Sequence, residues 1–253
     1  MFRNLSRPVA LLGLALVFVA SHAVAEERVR NPAKEPFPIQ ETALDRYVKK
    51  PDPSYKYELV KTVEDPNFKA YILHLTSQTW RTAEEVDRPV WEHDLIIVKP
   101  TEVKTKTALL FIDGGHNGGN PADGPSPLLA QIAVSTHGIV CNLKQVPNEP
   151  LTFKEDGKQR SEDEIIAFTW KKFMETGDEE WPARLPMTKA GVRAMDAVQD
   201  FLKKPDFGAQ EVKDFVVAGG SKRGWTTWTV AAVDKRVKAI VPAVIDTLNV
   251  VPA

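Results

Sequence analysis

The run Phe215-Val216-Val217-Ala218-Gly219-Gly220-Ser221-Lys222-Arg223-Gly224-Trp225 constrains this chain more than any other. Four apolar residues enter a turn with glycine on both sides of a serine, and a helical pattern starts at once from Lys222. Small flanking residues let a strand and a helix approach closely around such a turn. The turn lifts the serine hydroxyl above the C-terminal edge of a sheet and aims the free amides of a helix N-terminus at the same place. The spacing is G-x-S-x-x-G, with Arg223 where the commoner G-x-S-x-G pattern has its second glycine. Two readings of Ser221 follow: a nucleophile with the Lys222 amide as oxyanion donor, or an N-capping serine in a glycine-rich turn. The strand before it and the helix after it favour the nucleophile.

The pattern around the turn predicts the rest of the sheet. Tyr55 to Val63, Phe68 to Trp80 and Trp91 to Val98 are rich in β-branched and aromatic residues, with Pro, Asp and Asn between them, as successive antiparallel strands would be. Ala108 to Ile112 is a continuous apolar run, expected of a strand buried on both faces. A helix over Pro127 to Thr136 and a strand around Val140 follow. Ser161-Glu162-Asp163-Glu164 reads as a capping box opening a helix to about Thr176, with Ile166, Trp170 and Phe173 on its inner face and Phe168 off that stripe. A second helix is predicted over Thr188 to Lys203, with Ala194, Val198, Phe201 and Leu202 inward. Strands at Asp214 to Ala218 and Ala239 to Ile245 complete the alternation, and Pro242 predicts a bulge or a shortened last strand. Strand and helix alternating at these lengths imply right-handed crossovers. The expected fold is therefore α/β, of the α/β-hydrolase type: a mostly parallel sheet with helices on both faces and antiparallel strands on its N-terminal side.

A second glycine-rich loop, Asp113-Gly114-Gly115-His116-Asn117-Gly118-Gly119, follows the buried strand. Hydrolases of this fold place the other oxyanion amide there, which makes Gly115 a candidate donor; a plain flexible turn is the alternative. The spacing fits neither a dinucleotide-binding fingerprint nor a P-loop. His116 and Arg223 are candidate substrate contacts. Asp246, after the last strand, is a candidate catalytic acid or else the N-cap of a following helix. No histidine follows Ser221, although this fold orders its triad serine, acid, histidine. With the chain ending at Ala253, the expectation is a protein lacking its C-terminal part, with the base in that part. Trp225 and Trp228 could offer a stacking surface, but core packing is the stronger expectation. Metal-binding spacings are absent, no cofactor is implied, and Cys141 reads as a buried thiol within a strand.

Arg3 and Arg7 precede an uncharged apolar stretch, Val9 to Ala20, and Ala23-Val24-Ala25 supplies small residues for cleavage before Glu26. This is the pattern of a signal peptide over residues 1–25, and the stretch is short of the roughly 20 residues that span a bilayer. Export to the periplasm or the exterior is expected, without stable membrane insertion of the mature chain. Residues 26–53 form an irregular lead-in with one short helix near Glu41 to Lys49, and residues 54–253 the incomplete domain. A net charge of −1 gives no basic surface for nucleic acid.

Several segments carry a resemblance. They are Thr42-Ala43-Leu44-Asp45-Arg46-Tyr47-Val48, Thr76-Ser77-Gln78-Thr79-Trp80-Arg81, Arg88-Pro89-Val90-Trp91, Lys144-Gln145-Val146-Pro147-Asn148, Leu185-Pro186-Met187-Thr188-Lys189 and Ser221-Lys222-Arg223-Gly224-Trp225-Thr226-Thr227-Trp228. In these the chain resembles the PhoPQ-activated pathogenicity-related proteins of bacteria. The resemblance implies an exported α/β-hydrolase-like protein, under a two-component sensor linked to virulence and envelope stress. It implies no particular substrate, and Ser-Lys-Arg-Gly looks like that family's own form of the turn. The resulting expectation is a serine hydrolase acting on an ester or amide of a small-molecule or cell-envelope substrate. The alternative is a non-catalytic binding protein on the same fold.

Overall fold

The computed structural model describes residues 40–245. The predicted signal segment, most of the lead-in and Asp246 lie outside these residues. Residues 42–245 lie in one unit.

Helix α1 (Ala43–Lys49) opens on a capping box: the Thr42 hydroxyl accepts from the Asp45 amide, and the Asp45 carboxylate accepts from the Thr42 amide. Strands β1 (Lys56–Asp65), β2 (Phe68–Thr79) and β3 (Val90–Pro100) pair antiparallel in sequence. Strand β4 (Thr107–Ile112) leads through the glycine-rich loop to α2 (Pro127–Thr136) and β5 (Val140–Leu143). A small ribbon, β6 (Leu151–Thr152) with β7 (Gln159–Arg160), precedes α3 (Glu162–Thr176) and α4 (Arg184–Lys203). Then come β8 (Asp214–Gly220), α5 (Lys222–Val233) and β9 (Val237–Ala243).

The large sheet has the order β1-β2-β3-β5-β4-β8-β9. The first three strands and the β3–β5 junction are antiparallel, while β5, β4, β8 and β9 run parallel. The chain therefore moves one way from β4 to β5 and the other way from β4's opposite side to β8 and β9. Loops at the carboxyl ends of β4 and β8 splay apart at such a reversal, which is where open α/β sheets form their ligand crevices.

Alternation along the strands builds a core on each face. On β2, Tyr71, Leu73 and Leu75 join Val198, Phe201 and Leu202 of α4 in the larger cluster, which also holds Val230 of α5. Ala70 and Ile72 point the other way, to Leu129, Ala130 and Ala133 of α2. Helices thus cover both faces, as expected of this fold class.

Local details differ from the sequence reading. Ser161 makes no side-chain cap to α3, and Glu162 adopts φ 52°, so the predicted capping box does not form there. Helix α3 is also rotated relative to the predicted stripe. Ile165, Phe168 and Thr169 are buried, whereas Trp170 and Phe173 are 41% and 37% exposed. The reason is an aromatic cluster, Phe153, Phe168 and Trp181, whose ring contacts draw Phe168 inward. Helix α4 begins one turn earlier than predicted, with Pro186 in its first turn, where a proline costs no intrahelical bond. Pro242 lies inside β9 opposite Gly219, and the register shift in that ladder falls at Phe215/Val216 instead. Among the described residues β9 is an edge strand, where proline is tolerated.

Candidate active site

Strand β8 ends at Gly220 and α5 begins at Lys222, so Ser221 alone makes the turn. Its φ of 54° and ψ of −124° lie in a region that non-glycine residues seldom occupy. The residue is exposed, and its side chain makes no capping hydrogen bond to α5. The glycines at 219 and 224 are there for space. A Cβ on Gly219 would sit 2.7 Å from the Arg223 carbonyl oxygen, and one on Gly224 2.6 Å from Ile245 Cγ2 and 2.8 Å from the Ala243 oxygen. Gly220 would meet nothing nearer than Val244 Cγ2 at 3.9 Å. The close strand–helix crossing thus needs a glycine at 224, and position 223 can carry a long side chain directed sideways.

The loop after β4 lies beside the turn, since Ile112 pairs with Gly219. Asp113 and Gly114 are tied to the β5 loop through Val146 N–H to the Asp113 oxygen and Gln145 N–H to the Gly114 oxygen. Gly115 has φ 139°, a conformation that favours glycine, and a Cβ there would crowd the Gln145 backbone nitrogen at 3.4 Å. Among the described residues, neither the Lys222 amide nor the Gly115 amide has a hydrogen-bond acceptor. Backbone N–H groups without an acceptor are the kind of donor that can serve a developing oxyanion.

His116 is exposed and forms a backbone bridge to Glu149. It helps line a polar cleft of about 480 Å³, together with His74, Glu92, Asp94, Asn117 and Gln145. Ser221 is not part of that lining. The other described histidines have partners of their own. His74 meets Glu92 at 3.2 Å, and His137 ends α2 with Nδ1 3.5 Å from Glu102. His93 is buried, with Nε2 2.9 Å from Ser77 Oγ and Nδ1 3.0 Å from the Lys144 oxygen. Burial pushes the His93 imidazole down to about 4, so it is neutral near pH 7. Its Nδ1–H then donates to the Lys144 carbonyl, and Nε2 accepts from Ser77.

Arg223 does not stand free as a substrate contact. Its guanidinium forks onto Glu162, with Nη2 at 2.7 Å and Nη1 at 3.1 Å, and Nε donates to the Val146 carbonyl at 2.5 Å. Lys222 Nζ is buried against Glu162 and lies 3.2 Å from Asp163. Glu149, fully buried, receives the Glu162 amide on Oε2 at 2.5 Å, while its Oε1 has no hydrogen-bond donor among the described residues. Burial and the neighbouring Glu162 charge raise the Glu149 carboxyl. Burial works in the same direction on Glu162, but hydrogen bonds from Arg223 and Lys222 outweigh it and hold that carboxyl at about 2. Arg184 closes the group, donating to the Lys222 carbonyl at 2.8 Å with its guanidinium 4.1 Å over the Trp225 ring. Glu149, Glu162 and Arg184 went unremarked in the sequence as parts of the site. The only trace was the acidic run at 162–164, and its local reading was a helix cap. Among the described residues, no three His, Cys, Asp or Glu side chains converge to hold a metal ion.

The topology, the strained serine between strand and helix, and the adjoining glycine loop define a protein of the α/β-hydrolase class. Residues 44–253 match the family of PhoPQ-activated pathogenicity-related proteins, and the chain belongs to that family. It is also 46% identical over 216 residues to autocrine proliferation repressor protein A of Dictyostelium discoideum; the match covers 85% of this chain and 43% of that protein's length. In structure it is similar to an acetyl xylan esterase from Paenibacillus sp. R4, at 16% identity and TM-score 0.47, covering 82% of this chain and 61% of that one. It is likewise similar to a glucuronoyl esterase from Solibacter usitatus, at 13% identity and TM-score 0.47, covering 79% and 56%.

Proposed function

We propose that this chain carries the nucleophile and oxyanion elements of an exported serine hydrolase cleaving an ester or amide. The conformation of Ser221 supports this reading above all else. A non-glycine residue is held at φ 54°, exposed and uncapped, and the Lys222 amide that follows it has no acceptor among the described residues. Ser221 Oγ adds to a carbonyl carbon, the carbonyl electron pair moves onto oxygen, and the Lys222 and Gly115 amides stabilise that charge. A histidine base takes the hydroxyl proton and passes it to the departing alcohol or amine. His74, His93 and His137 are engaged elsewhere, so the base is sought in the full-length protein outside residues 40–245, with Asp246 as a candidate acid. On this reading His116, exposed on the glycine loop, contacts the substrate. Arg3 and Arg7, the uncharged apolar stretch Val9 to Ala20 and the small residues Ala23 and Ala25 support export, and family membership supports a role in envelope stress or virulence.

The test is covalent labelling of the full-length protein with a fluorophosphonate. Modification is expected at Ser221 and lost in Ser221→Ala; labelling that persists in that variant places the nucleophile elsewhere. Complete absence of labelling in a folded protein would favour the second reading, a hydrolase-like binding protein. That reading has one observation in its favour, the lack of a histidine partnered with Ser221 among the described residues. Recovery of mature protein beginning near Glu26 tests export; an intact N-terminus at Met1 counts against it.

A further inference from the structure

Arg223 joins parts of the chain that are distant in sequence. Its backbone belongs to the first turn of α5, one residue past Lys222. Its Nη2 lies 2.7 Å from where a Cβ would stand on Gly114, so the guanidinium rests against the backbone of the β4 loop. Its Nε is bonded to Val146 on the β5 loop, and its fork is seated on Glu162 at the start of α3. Glu149 Oε1 approaches Nη2 at 3.7 Å.

What orients this strut is Glu162. The φ of 52° at Glu162 turns its amide toward Glu149 Oε2 and its carboxylate toward both Lys222 Nζ and the Arg223 fork. One carboxylate thereby holds the two residues that follow the serine. Through the guanidinium it also reaches the backbone of Gly114, on the loop that carries Gly115. Asp163 adds a second anion to Lys222, and Arg184 pins the Lys222 carbonyl from α4. A planar bidentate pair fixes angle as well as distance, which a single lysine–carboxylate contact does not.

We infer that Glu162 is a positioning residue: acting through Arg223 and Lys222, it sets the spacing between the Lys222 amide of the turn and the Gly115 amide of the neighbouring loop. The inference deepens the hydrolase reading and rests on it for the role of those amides. The geometric core, one carboxylate coupling two loops, stands by itself.

The experiment compares wild type, Glu162→Gln, Arg223→Lys and the double variant in the full-length protein. Two readouts are taken. Amide hydrogen exchange is followed in residues 113–116 and 219–225, with residues 194–202 of α4 as the internal reference. The rate of fluorophosphonate labelling at Ser221 is followed in parallel. Each single variant is expected to speed exchange in both loop segments while α4 stays protected, and to slow labelling on the order of 10- to 100-fold, the cost of a slightly misplaced oxyanion site. The double variant should be little worse than either single one, because both changes break the same fork. Unchanged exchange in both loops in both single variants overturns the inference. Labelling at the wild-type rate in both also overturns it, even if exchange shifts. Should Glu162→Gln lose protection throughout, α4 included, Arg223→Lys decides alone. Absence of labelling in the wild type itself sinks the hydrolase reading, and the exchange data still decide the coupling of the loops.

Discussion

The amide of Ser221 donates to the carbonyl of Ala243 at 2.9 Å, fastening the turn to the last parallel strand. Gly220, the last residue of β8, is the register partner of the same Ala243. The strained serine is therefore held from outside its own segment: β9 fixes its amide, and α5 takes its carbonyl through the Trp225 N–H at 3.0 Å.

Strain of this kind implies a measurable stability cost. Ser221→Gly is expected to raise unfolding free energy in urea by about 1 kcal/mol, since glycine occupies positive φ without penalty. Ser221→Ala keeps the Cβ and should leave stability within about 0.5 kcal/mol. Equal stabilities for the glycine and serine forms would show that the turn stores no strain.

The three glycines of the turn should separate by position. Gly219→Ala and Gly224→Ala each place a methyl under 3 Å from backbone or a packed side chain, and each should cost about 1–3 kcal/mol. Gly220→Ala has room and should be neutral or slightly stabilising. The same ranking should appear in melting temperatures, and a destabilising Gly220→Ala would contradict it.

His93 makes a prediction about acid. Its folded value of about 4 lies below the ordinary imidazole value of 6.5, so the unfolded chain takes up the proton first as pH falls. The stabilisation is present above pH 6.5 and is lost between there and about pH 4. One proton contributes about 1.4 kcal/mol per pH unit in that window. Urea midpoints measured across it should fall more steeply for wild type than for His93→Gln. Parallel curves would mean that His93 is not buried neutral.

The face of α3 can be read by truncation. Phe168 is 9% exposed and rings with Phe153 and Trp181, whereas Trp170 is 41% exposed. Phe168→Ala should cost about 3–5 kcal/mol. Trp170→Ala should cost well under half of that, loss of its Trp225 ring contact included. Reversed magnitudes would restore the orientation predicted from helical periodicity.

Where local pattern and neighbouring residues suffice, the sequence was enough. The apolar run into Gly219-Gly220-Ser221 and the helix behind it are specified by residues in contact along the chain, and so are the alternating strands and the N-terminal antiparallel group. Periodicity failed on α3 because several aromatic side chains competed for the inner face, and a partner outside the helix, Phe153, decided the rotation. The acidic run at 162–164 shows the same limit at the site. From sequence, Ser161 and Glu164 make an adequate cap; in the fold, the chain turns at Glu162 and its carboxylate is bonded to Arg223, 61 residues away. A capping bond joins atoms a few residues apart and can be read from spacing. An ion pair across loops depends on where two crossovers bring those loops, and that is set by the packing of the whole sheet.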